Sequence, residues 1–187
     1  MRHLIFITLV ALLVPACVSE DAGPIYLETE YQVRCVRCEP RAPDNPIRKI
    51  EYLSGENGFD ITCQVTERGG NKVVTMEADF SDAEAESRNY SLRLRLVSLD
   101  KSDPGPDCQV TVREGSNTYE GGCTAGEPDE EHPCKISLSR DGDDAIAGSI
   151  MCEEISNKAN KGTKRHVVAP LSTDEAAEFK IYNCTDL

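Results

Sequence analysis

The sequence contains no tryptophan, and only four phenylalanines and six tyrosines among 187 residues. Carbohydrate-binding modules usually stack sugars on exposed aromatics, tryptophan above all, so this scarcity disfavours that class. Positive charge is scarce too. Lys and Arg number 20 against 33 Asp and Glu, a formal net charge of −13. Nucleic acid and anionic lipid surfaces need clustered cations, so neither is expected as a partner. Histidine occurs three times, without the HxH or HExxH spacing of a catalytic metal centre. No GxSxG turn is available to present a serine nucleophile. After the first sixteen residues no segment is apolar enough to span a bilayer as a helix.

Those sixteen residues, MRHLIFITLVALLVPA, have the parts of an export signal. Arg2 supplies the charge, Leu4 to Val14 the apolar stretch, and Ala16 the small residue before a cut. The stretch is about eleven residues, short of the roughly 20 that a membrane-spanning helix needs. Val14-Pro15-Ala16-Cys17 resembles the lipobox of bacterial lipoproteins, with Pro15 where Ala or Ser is more usual. The resemblance implies that Cys17 receives a diacylglycerol and becomes the new N-terminus, anchoring the chain to a membrane. Val18, rather than Asp, follows it, which in that family implies passage to the outer membrane of the cell envelope. An ordinary signal peptide cut after Ala16 satisfies the same residues. Residues 17–24 read as an acidic flexible tether. The body of the chain resembles no family specifically.

Nine cysteines are present, and an odd number in an exported chain needs an explanation. Setting Cys17 aside as the lipid carrier leaves Cys35, Cys38, Cys63, Cys108, Cys123, Cys134, Cys152 and Cys184. These can form four disulfides with no thiol left over, their pairing open.

From Ile25 onward the hydrophobic period is two. In Ser91-Leu92-Arg93-Leu94-Arg95-Leu96-Val97 the leucines share one face and the arginines the other. Similar runs lie at 59–66, 72–80, 108–113, 135–139, 145–152 and 179–184, with weaker ones at 25–33, 48–53 and 165–169. Gly69-Gly70, Gly115-Ser116-Asn117 and Asp141-Gly142 punctuate them as hairpin turns. The expected fold is all-β, an antiparallel β-sandwich of about 7–9 strands cross-linked by disulfides. Residues 47–187 form the expected sandwich. Residues 25–46 form an N-terminal arm, set apart by the Pro-rich stretch 39–46. Two segments, 81–89 and 172–175, have helical features and read as loop insertions.

The candidate sites are few. Cys35-Val36-Arg37-Cys38 has the spacing of a thiol-redox pair, but a thioredoxin-like site opens a helix there. Here a strand-like approach leads in and Glu39-Pro40 closes the motif, so structural disulfides are expected, and redox chemistry is the one enzymatic reading retained. His132 and His166 are expected on the surface. Calcium is the one cofactor considered, at Asp141, Asp143 and Asp144, at Asp100, Asp103 and Asp107, or in the acidic loop 127–131. The EF-hand spacing is absent, and solvated carboxylates are the simpler expectation. A bond between Cys123 and Cys134 would tie 124–133 into a loop of the kind protease inhibitors present. Arg88, Arg93 and Arg95 are expected to pair with acidic residues across strands. Asn89 and Asn183 sit in glycosylation sequons that the bacterial lipobox makes irrelevant. The expected role is that of a non-enzymatic envelope lipoprotein, structural or engaged with an envelope or extracellular protein. A calcium- or ligand-binding surface module and a disulfide-tied protease inhibitor are the alternatives.

Overall fold

The computed structural model describes residues 23–35, 45–85 and 88–187. The leader, Cys17 and Cys38 lie outside these. Eleven strands follow one another: β1 (Tyr26–Arg34), β2 (Arg48–Leu53), β3 (Phe59–Arg68), β4 (Asn71–Phe80), β5 (Tyr90–Ser98), β6 (Gln109–Glu114), β7 (Asn117–Thr124), β8 (Cys134–Arg140), β9 (Ala145–Asn157), β10 (Lys164–Val168) and β11 (Ala177–Tyr182). Alternation is the local cause. In β3, Phe59, Ile61, Cys63 and Val65 are buried while Asp60, Thr62 and Gln64 are exposed, as the two-residue period of a strand requires. The all-β sandwich stands, but with more strands than the seven to nine expected. The one strand absent from the sequence reading is β7, whose Gly121-Gly122 pair hides its alternation.

Hydrogen bonding joins the strands into one mostly antiparallel sheet that folds over a single core. One half is the meander β3-β4-β5-β6-β7. Its β3–β4 turn carries Gly69 at φ 56° and Gly70 at φ 79°, the left-handed pair that a tight two-residue hairpin needs. The other half contains β2, β1, β11, β9 and β8. In it, β10 and β11 act as a single interrupted strand. β10 pairs with the second part of β1 and of β9, and β11 with the first part of each. Residues 169–176 loop out between them. The side chain of Gln32 pins that loop, accepting from the Leu171 amide at 3.2 Å and donating to the Asn45 carbonyl at 2.8 Å. The halves meet where β7 pairs with β8 and with the end of β9.

The segment expected as an arm contributes β1, which is hydrogen-bonded on both edges. Its Leu27, Tyr31 and Val33 lie in the same core as the rest of the chain. Leu96 departs from the expected leucine face. A bulge against Val74 and Met76 breaks the β4–β5 register, Leu96 takes φ 54°, and it turns partly outward while Val97 goes in. One extra residue in a strand reverses which face the following side chains occupy. Gly148 in β9 makes room for the core: a Cβ there would stand 2.6 Å from Leu138, Phe179 and the Ser137 carbonyl.

Opposite the β7–β8 corner the halves are held by chemistry rather than by a shared ladder. Cys63 of β3 is bonded to Cys184, 121 residues away. Around it the Val65 amide donates to the Thr185 carbonyl at 2.8 Å and the Thr185 amide to the Cys63 carbonyl at 3.1 Å. The C-terminal segment therefore covers part of the outer edge of β3, which would otherwise invite pairing with another chain. Cys108–Cys123 ties the start of β6 to β7, and Cys134–Cys152 ties β8 to β9. Cys35 is disulfide-bonded as well. In the chain-entropy picture a loop of more than 100 residues contributes about 4–5 kcal/mol and one of 15 residues about 3 kcal/mol. Replacing Cys63 and Cys184 by alanine should therefore lower the urea-unfolding free energy more than replacing Cys108 and Cys123. The reverse order would mean that the sandwich is not held by its far edge.

Candidate functional site

Two polar constellations emerge from the strand pattern, one internal and one external. Inside, β6 points Val110, Val112 and Glu114 to the core, so a carboxylate arrives where an apolar residue would be expected. Its partner comes from the opposite half. Arg48, the first residue of β2, donates from Nε to both Glu114 oxygens at 3.2 and 3.1 Å, and from a terminal nitrogen at 2.5 Å. The Arg48 guanidinium also lies 4.3 Å from the centre of the Tyr90 ring. Tyr90 belongs to an aromatic cluster with Phe59 and Phe80, and Tyr52 of β2 stacks on Phe59 at 4.7 Å. The Glu114 side chain is only 6% exposed. Burial pushes its carboxyl above the ordinary range, against the opposing pull of Arg48. The Tyr31 hydroxyl is fully buried with no hydrogen-bond partner among the described residues, and burial drives its pKa well up.

Outside, the five strands β2, β1, β11, β9 and β8 present a concave polar face with a groove of about 570 Å3. Register places its side chains in two rows. One runs Glu51, Glu28, Lys180, Ala147, Ser139. The second has Lys49 opposite Glu30, and then Glu178, Ser149, Ser137. Long charged side chains stand at one end and small ones floor the other, where the Ser137 and Ser149 hydroxyls meet at 3.0 Å. Lys49 pairs with Glu51 at 3.0 Å and Lys180 with Asp141 at 2.6 Å. The bond to Asp141 raises the Lys180 ammonium above its ordinary range.

Of the residues singled out from sequence, only Asp141 touches either constellation, through Lys180. Asp141, Asp143 and Asp144 occupy the β8–β9 turn, where Asp141 is engaged by Lys180. Asp100 bonds the Arg140 amide and guanidinium, Asp103 the Gly105 amide, and Asp107 faces Arg68 at 3.6 Å. In the acidic loop, Asp129 accepts from the Glu131 and His132 amides at 2.9 and 2.6 Å. The His132 amide foremost holds its carboxyl below the usual range. Among the described residues no group of three or more His, Cys, Asp or Glu side chains converges as a metal-holding set. The loop is not closed by a Cys123–Cys134 bond. Those two are register neighbours in the parallel β7–β8 pairing and are bonded outward instead, to Cys108 and Cys152. His132 is partly exposed, whereas His166 is buried on β10, because β10 is flanked by β1 and β9. Arg93 pairs with Glu77, its register partner, and Arg88 with Asp82 at 3.3 Å. Arg113 joins this pattern, reaching Asp79 at 2.7 Å.

Sequence reasoning missed Arg48, Glu114 and the outer face. Glu114 was legible as a charge on the apolar phase of β6. The outer face was not, because its members come from five strands whose order only the fold supplies. No protein-family model, curated protein or solved structure matches the chain.

Removing one member of a buried ion pair leaves an uncompensated charge, at a cost of about 3–5 kcal/mol, whereas replacing both by apolar residues is often neutral. Arg48→Met should thus destabilise strongly, and Arg48→Met with Glu114→Leu should recover most of the loss in urea unfolding. The loss in Arg48→Met should shrink on acidification. Glu114, its folded-state pKa raised above the unfolded value, would then favour folding at low pH and lose that contribution as pH rises through the folded pKa. A pH-independent loss would show that the cost is packing rather than charge.

Proposed function

We propose that the chain is an exported lipoprotein whose disulfide-braced β domain serves a non-enzymatic role, structural or in protein interaction, at the cell envelope. The observation that carries this reading is the state of the cysteines. All seven within the described residues are disulfide-bonded, one bridge closing 121 residues between Cys63 and Cys184, and such bonds persist in oxidising extracellular or periplasmic surroundings. Cys17 then has a separate use, and the lipobox-like Val14-Pro15-Ala16-Cys17 supplies it: alkylation by a diacylglycerol and a membrane anchor. Many ionisable groups are absorbed in pairs and turns, as Arg48–Glu114, Arg113–Asp79 and the Asp129 turn exemplify. That distribution suits a stable binding scaffold.

The deciding experiment is the intact mass of the membrane-extracted protein, before and after reduction and alkylation. The expected result is acyl mass on Cys17, with the other eight cysteines of the nine alkylated only after reduction. An unlipidated chain with free Cys35 and Cys38 would refute the anchored reading and favour thiol-redox chemistry.

A further inference from the structure

The outer faces of the sandwich carry carboxylates in different settings. On the β4-β5-β6 face, Glu77 meets Arg93 and Asp79 meets Arg113 across β5. On the β2-β1-β11-β9-β8 face, the two lysines are taken by Glu51 and Asp141. Glu28, Glu30 and Glu178, all exposed, have no ion-pair partner among the described residues. Glu28 moreover stands directly opposite Glu51 in the β1–β2 register. Like charges placed directly across a ladder destabilise it.

We propose that this face docks an extended segment of a partner protein bearing Lys or Arg at alternate positions. The proposal rests on the interaction role inferred above and specifies its surface and the chemistry of its partner. Charge complementarity selects a cationic partner, since three unpaired carboxylates line one groove. Spacing selects an extended one. Glu28 and Glu30 alternate along β1, about 6.6–6.8 Å apart, and the side chains on one face of an extended segment repeat at the same interval. The groove also has room: its floor at Ser137, Ser139, Ala147 and Ser149 carries nothing longer than a hydroxymethyl group. The serine hydroxyls there offer hydrogen bonds to a backbone or side chain.

The test uses the full disulfide-intact chain and a fluorescein-labelled nonapeptide of alternating Arg and Thr, titrated by anisotropy at low and at physiological salt. The triple variant Glu28→Gln, Glu30→Gln, Glu178→Gln should bind roughly tenfold more weakly, as expected for losing three exposed charge pairs of about 0.2–1 kcal/mol each. Its melting temperature should be unchanged or higher, because a repulsion has been relieved. The control triple Glu127→Gln, Glu130→Gln, Asp143→Asn removes as much negative charge elsewhere and should bind like the parent. Equal weakening in both triples would show attraction to overall charge and overturn the proposal. So would undiminished binding in the first, or no binding by the parent at low salt. Each of those failures leaves the mass experiment on the envelope reading intact, so the two readings fall separately.

Discussion

Two layers cut from one sheet are continuous at a single corner, here β7 with β8 and β9, and would splay apart on the opposite side without a tie. Cys63–Cys184 supplies that tie. It joins the outermost strand of the meander to the residues just beyond β11, and the neighbouring backbone bonds at Val65 and Thr185 turn a point link into a short stretch of pairing. The core depends on it. Phe59, Ile61 and Val65 on β3 are buried only while β3 is held against the other layer. A domain with no tryptophan and few other aromatics has a modest apolar driving force, and covalent closure compensates by limiting the unfolded ensemble.

Arg48–Glu114 acts on the same interface in another way. Desolvating two charges costs several kcal/mol per ion, and a good pair roughly offsets that cost without large net gain. The pair therefore adds little stability but much selectivity. β2 carries the arginine and β6 the acid, so any slip of one layer over the other buries an unpaired charge. Tyr90, beneath the Arg48 guanidinium, links the pair to the aromatic cluster of Tyr52, Phe59 and Phe80. The buried Tyr31 hydroxyl adds a polar atom without a hydrogen-bond partner among the described residues.

The acidic character of the chain is unevenly spent. Acidic residues at turns, such as Asp103 and Asp129, are consumed in holding backbone amides. On the meander's outer face Glu77 and Asp79 meet arginines, while Asp60 stands exposed opposite Asp79. Glu28, Glu30 and Glu178, without an ion-pair partner among the described residues, stand together on the outer face of β1 and β11, beside a floor of small side chains.

Much of the fold was legible from alternation alone. Ten of the eleven strands have period-two apolar patterns or flanking turn signals, and the Gly69-Gly70 turn follows from the φ > 0 that a two-residue hairpin demands. The presence of disulfides was legible in the cysteine content of a chain read as exported. Glu114 could have been read as a charge on a buried phase. What one dimension could not supply was order across the sheet. Pairing Cys63 with Cys184, placing Arg48 against Glu114, burying His166 and setting Glu28 beside Glu51 each join segments distant in the chain. Local propensity is indifferent to such distances. They are decided by which strands pair and in which register, and by bulges such as that at Leu96, where a single residue exchanges inside for outside.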